Sequence, residues 1–307
     1  VDIMSDTHLH LGLDAGELSL KVVLYDAKEK SVVRVGVLDV PVPPLNDIPT
    51  FETALQVWLT ENSIEDWASV SLTVSSFRSI VRQIFVPAEV EDIAEYLNWY
   101  LSTIINDSPK QYYMDYQIIG GSKESGWTVL FIALREEWVN GVRKGFRNKK
   151  LSPQIMNVDA TALLNLIEVG DDQPTKLRCI LKADIAGVSL MWLSKNHLRV
   201  LRGVSTLELV GREQEDAYKI LSEGIVKQIE LAKTENSVNT ETIFVCGDIS
   251  TDALFMDILK AKLPETQVEL LSSFPKIKVS ADEAEEALLP LCVGALGAAV
   301  QAAEVKA

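Results

Sequence analysis

A seven-residue pattern, D-x-x-x-x-S-L, occurs twice in the sequence and constrains the fold more than any other feature. The first copy begins at Asp14 and the second at Asp184, so they are separated by about half of the chain. Each copy follows an apolar run, carries a glycine in the turn (Gly16 or Gly187), and precedes another apolar run typical of a β-strand. The repeat therefore indicates two related halves, each containing a strand–turn–strand unit.

The residue types in this turn suit the binding of phosphate and a divalent cation. Glycine lets the backbone approach an anion closely, and successive backbone N–H groups form an anion nest. An aspartate at a strand end can hold Mg²⁺ through water, so Asp14 and Asp184 are candidate metal residues. The pattern leaves an alternative open, in which two ordinary hairpins use Asp and Gly only to form their turns.

The composition favours a globular protein with protein partners. Hydrophobic residues make up 47% of the chain, charged residues 24%, and the net charge is -15. Such a surface repels phosphate backbones, so we expect no nucleic-acid partner. Cys179, Cys246 and Cys292 lie in apolar runs without disulfide or metal spacing, which fits the reduced cytosol. No secretory signal is visible, and the longest apolar run, 287–300, is too short for a membrane span.

Strand runs alternate with helical patterns, which predicts an α/β protein. One helix is predicted at 88–105, directly after Pro87, and another at 281–303, around Pro290. The segment GGSKESG, at 120–126, is predicted to join the two strands of a hairpin. The sequence has neither a P-loop nor a G-x-S-x-G elbow, and its histidines lack metal spacing. The basic run RKGFRNKK at 143–150 is either a solvated helix end or a contact for anionic lipid or an acidic partner.

Four segments resemble the actin-like ATPase superfamily, and within it the PilM family of type IV pilus assembly proteins. LGLDAGELSLKVVLYD is similar to the first phosphate loop of that family, with matches at Gly12, Asp14, Gly16, Ser19, Lys21, Val22 and Val23. SIVRQIFVPAEVEDIAEYLNWYL followed by MDYQIIG resembles the inserted small subdomain, with matches at Asp115, Tyr116, Gln117 and Gly120. IMNVDATALLNLI resembles the connection into the second lobe, with Asp159 at the acidic position. The fourth segment, IFVCGDISTDALFMDIL, resembles the adenosine-side element. Beyond these four, PLCVGALGAAVQ resembles the final helix that returns to the first lobe.

The resemblance implies a duplicated, actin-like (RNase H-like) two-lobed fold with a small inserted α+β subdomain in the first lobe. It places the first lobe at 6–155, with the insertion at about 50–153, and the second lobe at 156–275. The C-terminal helix, at 276–307, is expected to return to the first lobe.

The resemblance also implies a function and a set of site residues. The protein is expected to be a cytoplasmic scaffold, peripheral at the inner membrane, that docks the N-terminal tail of a PilN-type membrane protein. The tail is expected to bind between the first lobe and the inserted subdomain, and other platform proteins and a pilus or secretion ATPase are further implied partners. The residues implied to bind ATP and Mg²⁺ are Asp14, Gly16, Ser19, Lys21, Asp159, Asp184, Gly187, Ser189 and Gly247.

Three departures from the family pattern predict weak or lost ATP binding. Glu17 and Leu18 replace small or hydroxyl residues in the first loop, Ala186 replaces a glycine in the second, and Asp248 replaces the second glycine of the adenosine element. A carboxylate about 4 Å from a phosphate would cost about 1 to 4 kcal/mol per charge pair. We therefore expect a degraded ATPase rather than an active enzyme.

Three alternatives remain open from the sequence. The chain also resembles the cytoplasmic domain of GspL-type type II secretion proteins, which would recruit the secretion ATPase. Sugar and acid kinases share the actin-like fold, although the altered loops argue against this activity. A division-type actin homologue would need a basic amphipathic C-terminal helix, which residues 302–307 do not provide.

Overall fold

A computed structural model describes residues 8–17, 19–76, 78–194, 197–206 and 209–306. Within these residues, strands and helices alternate along the chain, as the sequence predicts. In chain order they are β1 (Leu9–Ala15), β2 (Ser19–Asp26), β3 (Ser31–Asp39), α1 (Ile48–Glu61), β4 (Ser69–Val74), β5 (Ile80–Val86), α2 (Ile93–Ile104), β6 (Tyr112–Ser122), β7 (Gly126–Arg135), α3 (Glu136–Gly145), β8 (Ile155–Val158), α4 (Asp159–Gly170), β9 (Arg178–Asp184), β10 (Gly187–Ser194), β11 (His197–Ser205), α5 (Gln214–Asn236), β12 (Thr242–Cys246), α6 (Ala253–Lys262), β13 (Gln267–Leu270), β14 (Lys278–Val279), α7 (Glu283–Glu286) and α8 (Val293–Lys306).

Two of the sheets repeat one strand arrangement. In the first, the order is β3-β2-β1-β4-β8; β1, β2 and β3 are antiparallel neighbours, and β4 and β8 run parallel to β1. The second sheet has the same directions in the order β11-β10-β9-β12-β13. A short parallel strand, β14, extends the first sheet beside β3. This shared topology confirms the two related halves that the repeated turn predicts.

The inserted subdomain is a three-stranded antiparallel sheet, β5-β7-β6, covered by α2. It has its own small core, in which Val86, Leu97 and Phe131 are buried together. The start of the insertion, placed near residue 50 from the sequence, is corrected by the structure. Because β4 pairs with β1 and β8, and α1 packs in the first-lobe core, the insertion begins at β5.

Two predicted helices differ from those in the structure. The helix predicted at 88–105 begins only at Ile93, because the Asp92 side chain accepts a hydrogen bond from the Glu95 N–H and caps the first turn. The helix predicted at 281–303 is broken at Pro290, which lies in a 3₁₀ turn between α7 and α8. Proline cannot donate a backbone hydrogen bond, so the break is physically expected.

The final helix, α8, packs against β1, β2, β4 and α4 and is buried over most of its length. Small residues allow its backbone to approach β1 closely: a Cβ atom on Gly12 would lie 1.9 Å from the Ala295 carbonyl oxygen. Within the described residues no single helix is long and apolar enough to cross a membrane. The helical segments Glu283–Leu291 and Val293–Val305, which are bent by 92° relative to each other, reach the length and apolar composition of a membrane span only when they are taken together.

Gly12→Ala is expected to lower the free energy of unfolding by about 3 kcal/mol, because the added methyl group would force α8 away from β1. Urea unfolding measures the effect. Gly141→Ala in α3 is the matched control, since a Cβ there meets nothing within 4 Å. That variant should be neutral or slightly stabilising, because alanine favours helix over glycine. Equal losses in the two variants would contradict this packing.

Candidate functional site

Six ionisable side chains gather where the two repeated sheets face each other, and we call them the interlobe cluster. They are Asp14, Asp159, Asp184, Asp248, Lys21 and Lys182. The fold brings them together because Asp14 lies one residue before the end of β1, Asp184 ends β9, and Asp248 follows β12. The carboxyl ends of parallel strands are the usual place for ligand sites in α/β folds.

Lys182 lies at the centre of the cluster. Its Nζ atom is 3.0 Å from Asp14 Oδ2, 3.3 Å from Asp159 Oδ2 and 2.9 Å from Asp184 Oδ2. The side chain is only 2% exposed. The ammonium group therefore occupies the space between the three carboxylates and bridges the two halves of the molecule.

Lys21 forms a second bridge between the halves, in which the first sheet supplies the lysine and the second half supplies the aspartate. It stands opposite Asp14 in the β1–β2 register, and its Nζ atom lies 2.5 Å from Asp248 Oδ1. The Ser19 hydroxyl donates to the same Asp248 oxygen at 3.4 Å, and the Ile185 N–H donates to Asp248 Oδ2 at 3.3 Å. One aspartate side chain thus contacts groups from both of the repeated turns.

Asp159 ties the cluster to the segment that follows β4. Its Oδ1 atom accepts a hydrogen bond from the Ser76 N–H at 2.9 Å and another from the Ser76 hydroxyl. The same hydroxyl accepts from the Ala160 N–H at 3.2 Å. Asp159 is fully buried, and these donors and Lys182 compensate its charge.

The pKa shifts in the cluster follow from burial and from the opposing charges. Burial acts to lower the pKa of Lys182, but Asp14, Asp184 and Asp159 outweigh it and hold that pKa well above its ordinary value. The pKa of Lys21 is also raised, because Asp184, Asp14 and Asp248 outweigh its burial. Both lysines are therefore charged at neutral pH.

The two strand-end aspartates shift in opposite directions. Burial raises the pKa of Asp14, since Lys182 and Lys21 only partly offset it. Burial acts in the same way on Asp184, but Lys182 and Lys21 outweigh it and the pKa of that carboxyl is lowered. Asp184 is thus the more firmly ionised partner of Lys182.

The glycines implied to bind nucleotide lie against the cluster. A Cβ atom on Gly16 would come within 2.8 Å of Lys21 Nζ, and one on Gly247 within 2.7 Å of Asp184 Oδ1. Gly247 also has a φ of +97°, which favours glycine. Gly187 pairs with Asp184, and Ser189 pairs with Lys182 in the β9–β10 register. The sequence-derived site residues thus lie in or beside this one region.

Two residues that depart from the family pattern make contacts that the sequence does not predict. Asp248, expected in the adenosine element, lies between the two repeated turns and contacts Lys21, Ser19 and Ile185. Glu17 forms an ion pair with Arg78; its neighbour Leu18 lies outside the described residues. Sequence reasoning missed Lys182 and Ser76 as site residues. The one available signal was a lysine inside the apolar run RCILKAD, two residues before Asp184.

This arrangement does not fit a Mg-nucleotide. The Lys182 ammonium fills the position between the carboxylates that a divalent cation would need, and Asp248 takes the Lys21, Ser19 and Ile185 donors that a phosphate would need. With Lys182 in place, no group of three or more His, Cys, Asp or Glu side chains among the described residues could hold a metal ion. The cluster already contains four aspartates and only two lysines, and both lysines are paired with aspartates. A triphosphate would therefore add negative charge where no further cation is available within the cluster.

A second candidate surface is the outer edge of β6, which is an end strand of the inserted sheet; we call it the β6 edge. The Tyr116 N–H is bonded to the Asp115 carboxylate at 2.8 Å rather than to a neighbouring strand. Met114, Tyr116 and Ile118 alternate along the strand and form an exposed apolar row. Unpaired strand edges can accept an added strand.

The opposite face of β6 contacts α3 and the start of the basic run. The Tyr113 hydroxyl donates to Asn140 Oδ1 at 3.4 Å, and the Arg143 guanidinium lies 5.6 Å from the centre of the Tyr113 ring. Helix α3 also packs against α1 of the first lobe. At the other end of the basic run, Lys150 is paired with Asp66 at 2.6 Å. The basic run therefore borders the junction between the first lobe and the insertion.

The remaining sequence candidates are structural. His10 Nδ1 lies 2.7 Å from the Ser69 hydroxyl in the core. The three cysteines are free and buried, and burial raises the pKa of each thiol. GGSKESG forms the turn of the β6–β7 hairpin, as the sequence predicts. None of these groups belongs to the interlobe cluster.

Two sheets that repeat one five-strand topology are the arrangement of the actin-like class of folds. No model of a known protein family matches the sequence, and no curated protein matches it. Among solved structures, the chain is similar to one from the PilM-PilN type IV pilus biogenesis complex, with a TM-score of 0.75 and 19% identity over 96% of this chain and 98% of that chain.

Two other solved structures share the fold at lower similarity. One is a protein with an actin-like ATPase fold and unknown function from Bacteroides thetaiotaomicron, with a TM-score of 0.52, 11% identity, and coverage of 88% of this chain and 93% of that chain. The other is component A of the (R)-2-hydroxyglutaryl-CoA dehydratase of Acidaminococcus fermentans, with a TM-score of 0.52, 8% identity, and coverage of 97% and 99%. The actin-like fold implied by the sequence resemblance is thus confirmed.

Proposed function

We propose that this protein is a cytoplasmic scaffold, peripheral at the inner membrane, in a type IV pilus assembly platform. In this role it docks the N-terminal tail of a PilN-type membrane protein. The similarity over nearly the whole chain to a component of a PilM-PilN complex supports the assignment. The observation that carries the docking mode is the unpaired β6 edge beside the first lobe.

The docking mode is strand addition. An extended tail would pair with the outward backbone groups of β6, and its alternate side chains would point to opposite faces of the sheet. One set would contact the apolar row of Met114, Tyr116 and Ile118. The other set would face Tyr113 and α3, at the junction with the first lobe.

Weak or lost ATP binding is part of the proposal. The occupied interlobe cluster supports it, and a scaffold does not need turnover. A calorimetric titration with Mg-ATP is expected to give no heat up to millimolar concentration. Binding in the low-micromolar range that disappears in Asp14→Ala would instead indicate a nucleotide-gated protein.

The docking proposal is tested with a synthetic peptide that corresponds to the N-terminal tail of a PilN-type protein from the same organism. Calorimetry should give a dissociation constant in the micromolar range, and a scrambled peptide of the same composition should not bind. Absence of binding at high micromolar concentration would end this version of the proposal.

The secretion alternative makes a different prediction. A GspL-type protein would continue from this region into a transmembrane segment and would recruit a secretion ATPase. The full-length reading frame separates the two proposals, because a stop codon near Ala307 rules the second one out. An actin-like kinase would require substrate-dependent ATP turnover above ~1 per second.

A further inference from the structure

We propose that Lys182 and Asp248 are built-in substitutes for the divalent cation and the phosphate of an actin-like nucleotide site. They join the two lobes of this protein permanently, without a nucleotide. The inference is independent of tail docking on the β6 edge, since it concerns a different part of the molecule.

The first argument is the position of the Lys182 ammonium group. A divalent cation at this point would be surrounded by oxygen atoms of Asp14, Asp159 and Asp184. Lys182 Nζ lies within 3.3 Å of one oxygen from each of them. Asp14 Oδ2 and Asp159 Oδ2 are buried oxygens with no hydrogen-bond partner among the described residues, and both lie within 3.3 Å of the Lys182 ammonium group.

The second argument is the set of donors around Asp248. A phosphate at a repeated turn would be held by a lysine, a hydroxyl group and backbone N–H groups. Asp248 receives one donor of each kind, from Lys21, Ser19 and Ile185. Its carboxylate therefore has the surroundings of a bound anion, although it belongs to the chain itself.

The third argument is the crossing of the two ion pairs. Lys21 of the first sheet pairs with Asp248 beside the second sheet, whereas Lys182 of the second sheet pairs with Asp14 of the first. Each lobe thus supplies one cation and one anion to the other. A nucleotide in this class of fold would link the lobes by the same kind of contact, but it could dissociate, whereas these side chains cannot.

A cation-rescue experiment tests the role of Lys182. Lys182→Ala leaves three buried carboxylates facing an empty space, so the melting midpoint in EDTA should fall by about 10 °C. Millimolar Mg²⁺ should recover most of that loss, while the wild-type midpoint should be the same in Mg²⁺ and EDTA. Lys262→Ala is the matched control, because it removes an exposed lysine from the same lobe. It should show no response to Mg²⁺.

A second variant keeps the proposal testable if Lys182→Ala does not fold. Asp248→Gly frees the Lys21, Ser19 and Ile185 donors at a position where the side chain is 10% exposed. Because Lys182 still fills the cation position, calorimetry with ATP in EDTA should then detect binding below millimolar concentration, where the wild type gives no heat. The control Asp257→Ala removes an exposed aspartate from α6 and should leave the wild-type result unchanged.

Two results would overturn the inference. One is a folded Lys182→Ala protein whose midpoint responds to Mg²⁺ no more than that of Lys262→Ala. The other is an Asp248→Gly protein that, like the wild type, gives no heat with ATP in EDTA up to millimolar concentration. Tail-peptide binding, measured on the same samples, would separate failure of this inference from failure of the proposed function.

Discussion

Replacing Asp159 by alanine is expected to lower the free energy of unfolding by about 3 to 5 kcal/mol, the range typical of a broken buried ion pair. The substitution removes the acceptor of two Ser76 hydrogen bonds and one carboxylate partner of Lys182. All of these groups are buried, so water cannot replace the lost contacts. Urea unfolding followed by circular dichroism measures the loss.

Two control variants separate the contributions. Asp159→Asn keeps an oxygen acceptor for Ser76 but loses the charge, so it should fall between the wild type and the alanine variant. Asp257→Ala removes an exposed aspartate and should change stability by less than about 0.5 kcal/mol. A loss below about 1 kcal/mol in Asp159→Ala would mean that the interlobe cluster does not hold the lobes together.

Met114→Pro is expected to weaken binding of the PilN-type tail by tenfold or more. The Tyr116 N–H is bonded to the Asp115 carboxylate and not to β7. Backbone N–H direction alternates along a strand with a period of two, so the Met114 N–H also points away from β7. Proline at this edge position removes the β6 N–H that would donate to the incoming strand, while leaving the β6–β7 ladder intact. Calorimetric titration of the tail peptide into wild type and variant measures the change.

Met114→Ala is the matched control, because it removes the side chain but keeps the backbone donor. It should weaken binding by less than about threefold, which corresponds to a modest loss of apolar contact. If the proline and alanine variants bound the tail equally well, backbone pairing at the β6 edge would be excluded as the docking mode.

The duplicated fold could be predicted because its signals are local. Each half carries the same strand–turn–strand pattern, which the structure contains as β1–β2 in the first half and β9–β10 in the second. The sequence predicts one helix through Pro290, whereas in the structure α7 ends at Glu286 and α8 begins at Val293, because the proline has no N–H to donate within a helix. The predicted start of the insertion also differs from the structure, since β4 belongs to the first sheet through pairing with β1 and β8, which are distant in sequence, and α1 belongs to the first lobe through its packing in that core.

The interlobe cluster could be predicted only in part. The aspartates and glycines of the repeated turns are visible as a motif, and the structure places Asp14 and Asp184 on one ammonium group. The partners of that motif are not visible in the sequence. Lys182 and Asp248 act on residues of the other lobe, and such contacts follow from the folded geometry rather than from spacing along the chain.

Hydrogen–deuterium exchange with and without the PilN-type tail peptide tests the central claim most directly. The scaffold account predicts slower exchange in β6, at Tyr112–Ser122, with little change in β5 at the opposite edge of the same sheet. Binding that protects another surface and leaves β6 unchanged would contradict the proposed docking site. Absence of protection anywhere, at saturating peptide, would contradict the scaffold function itself.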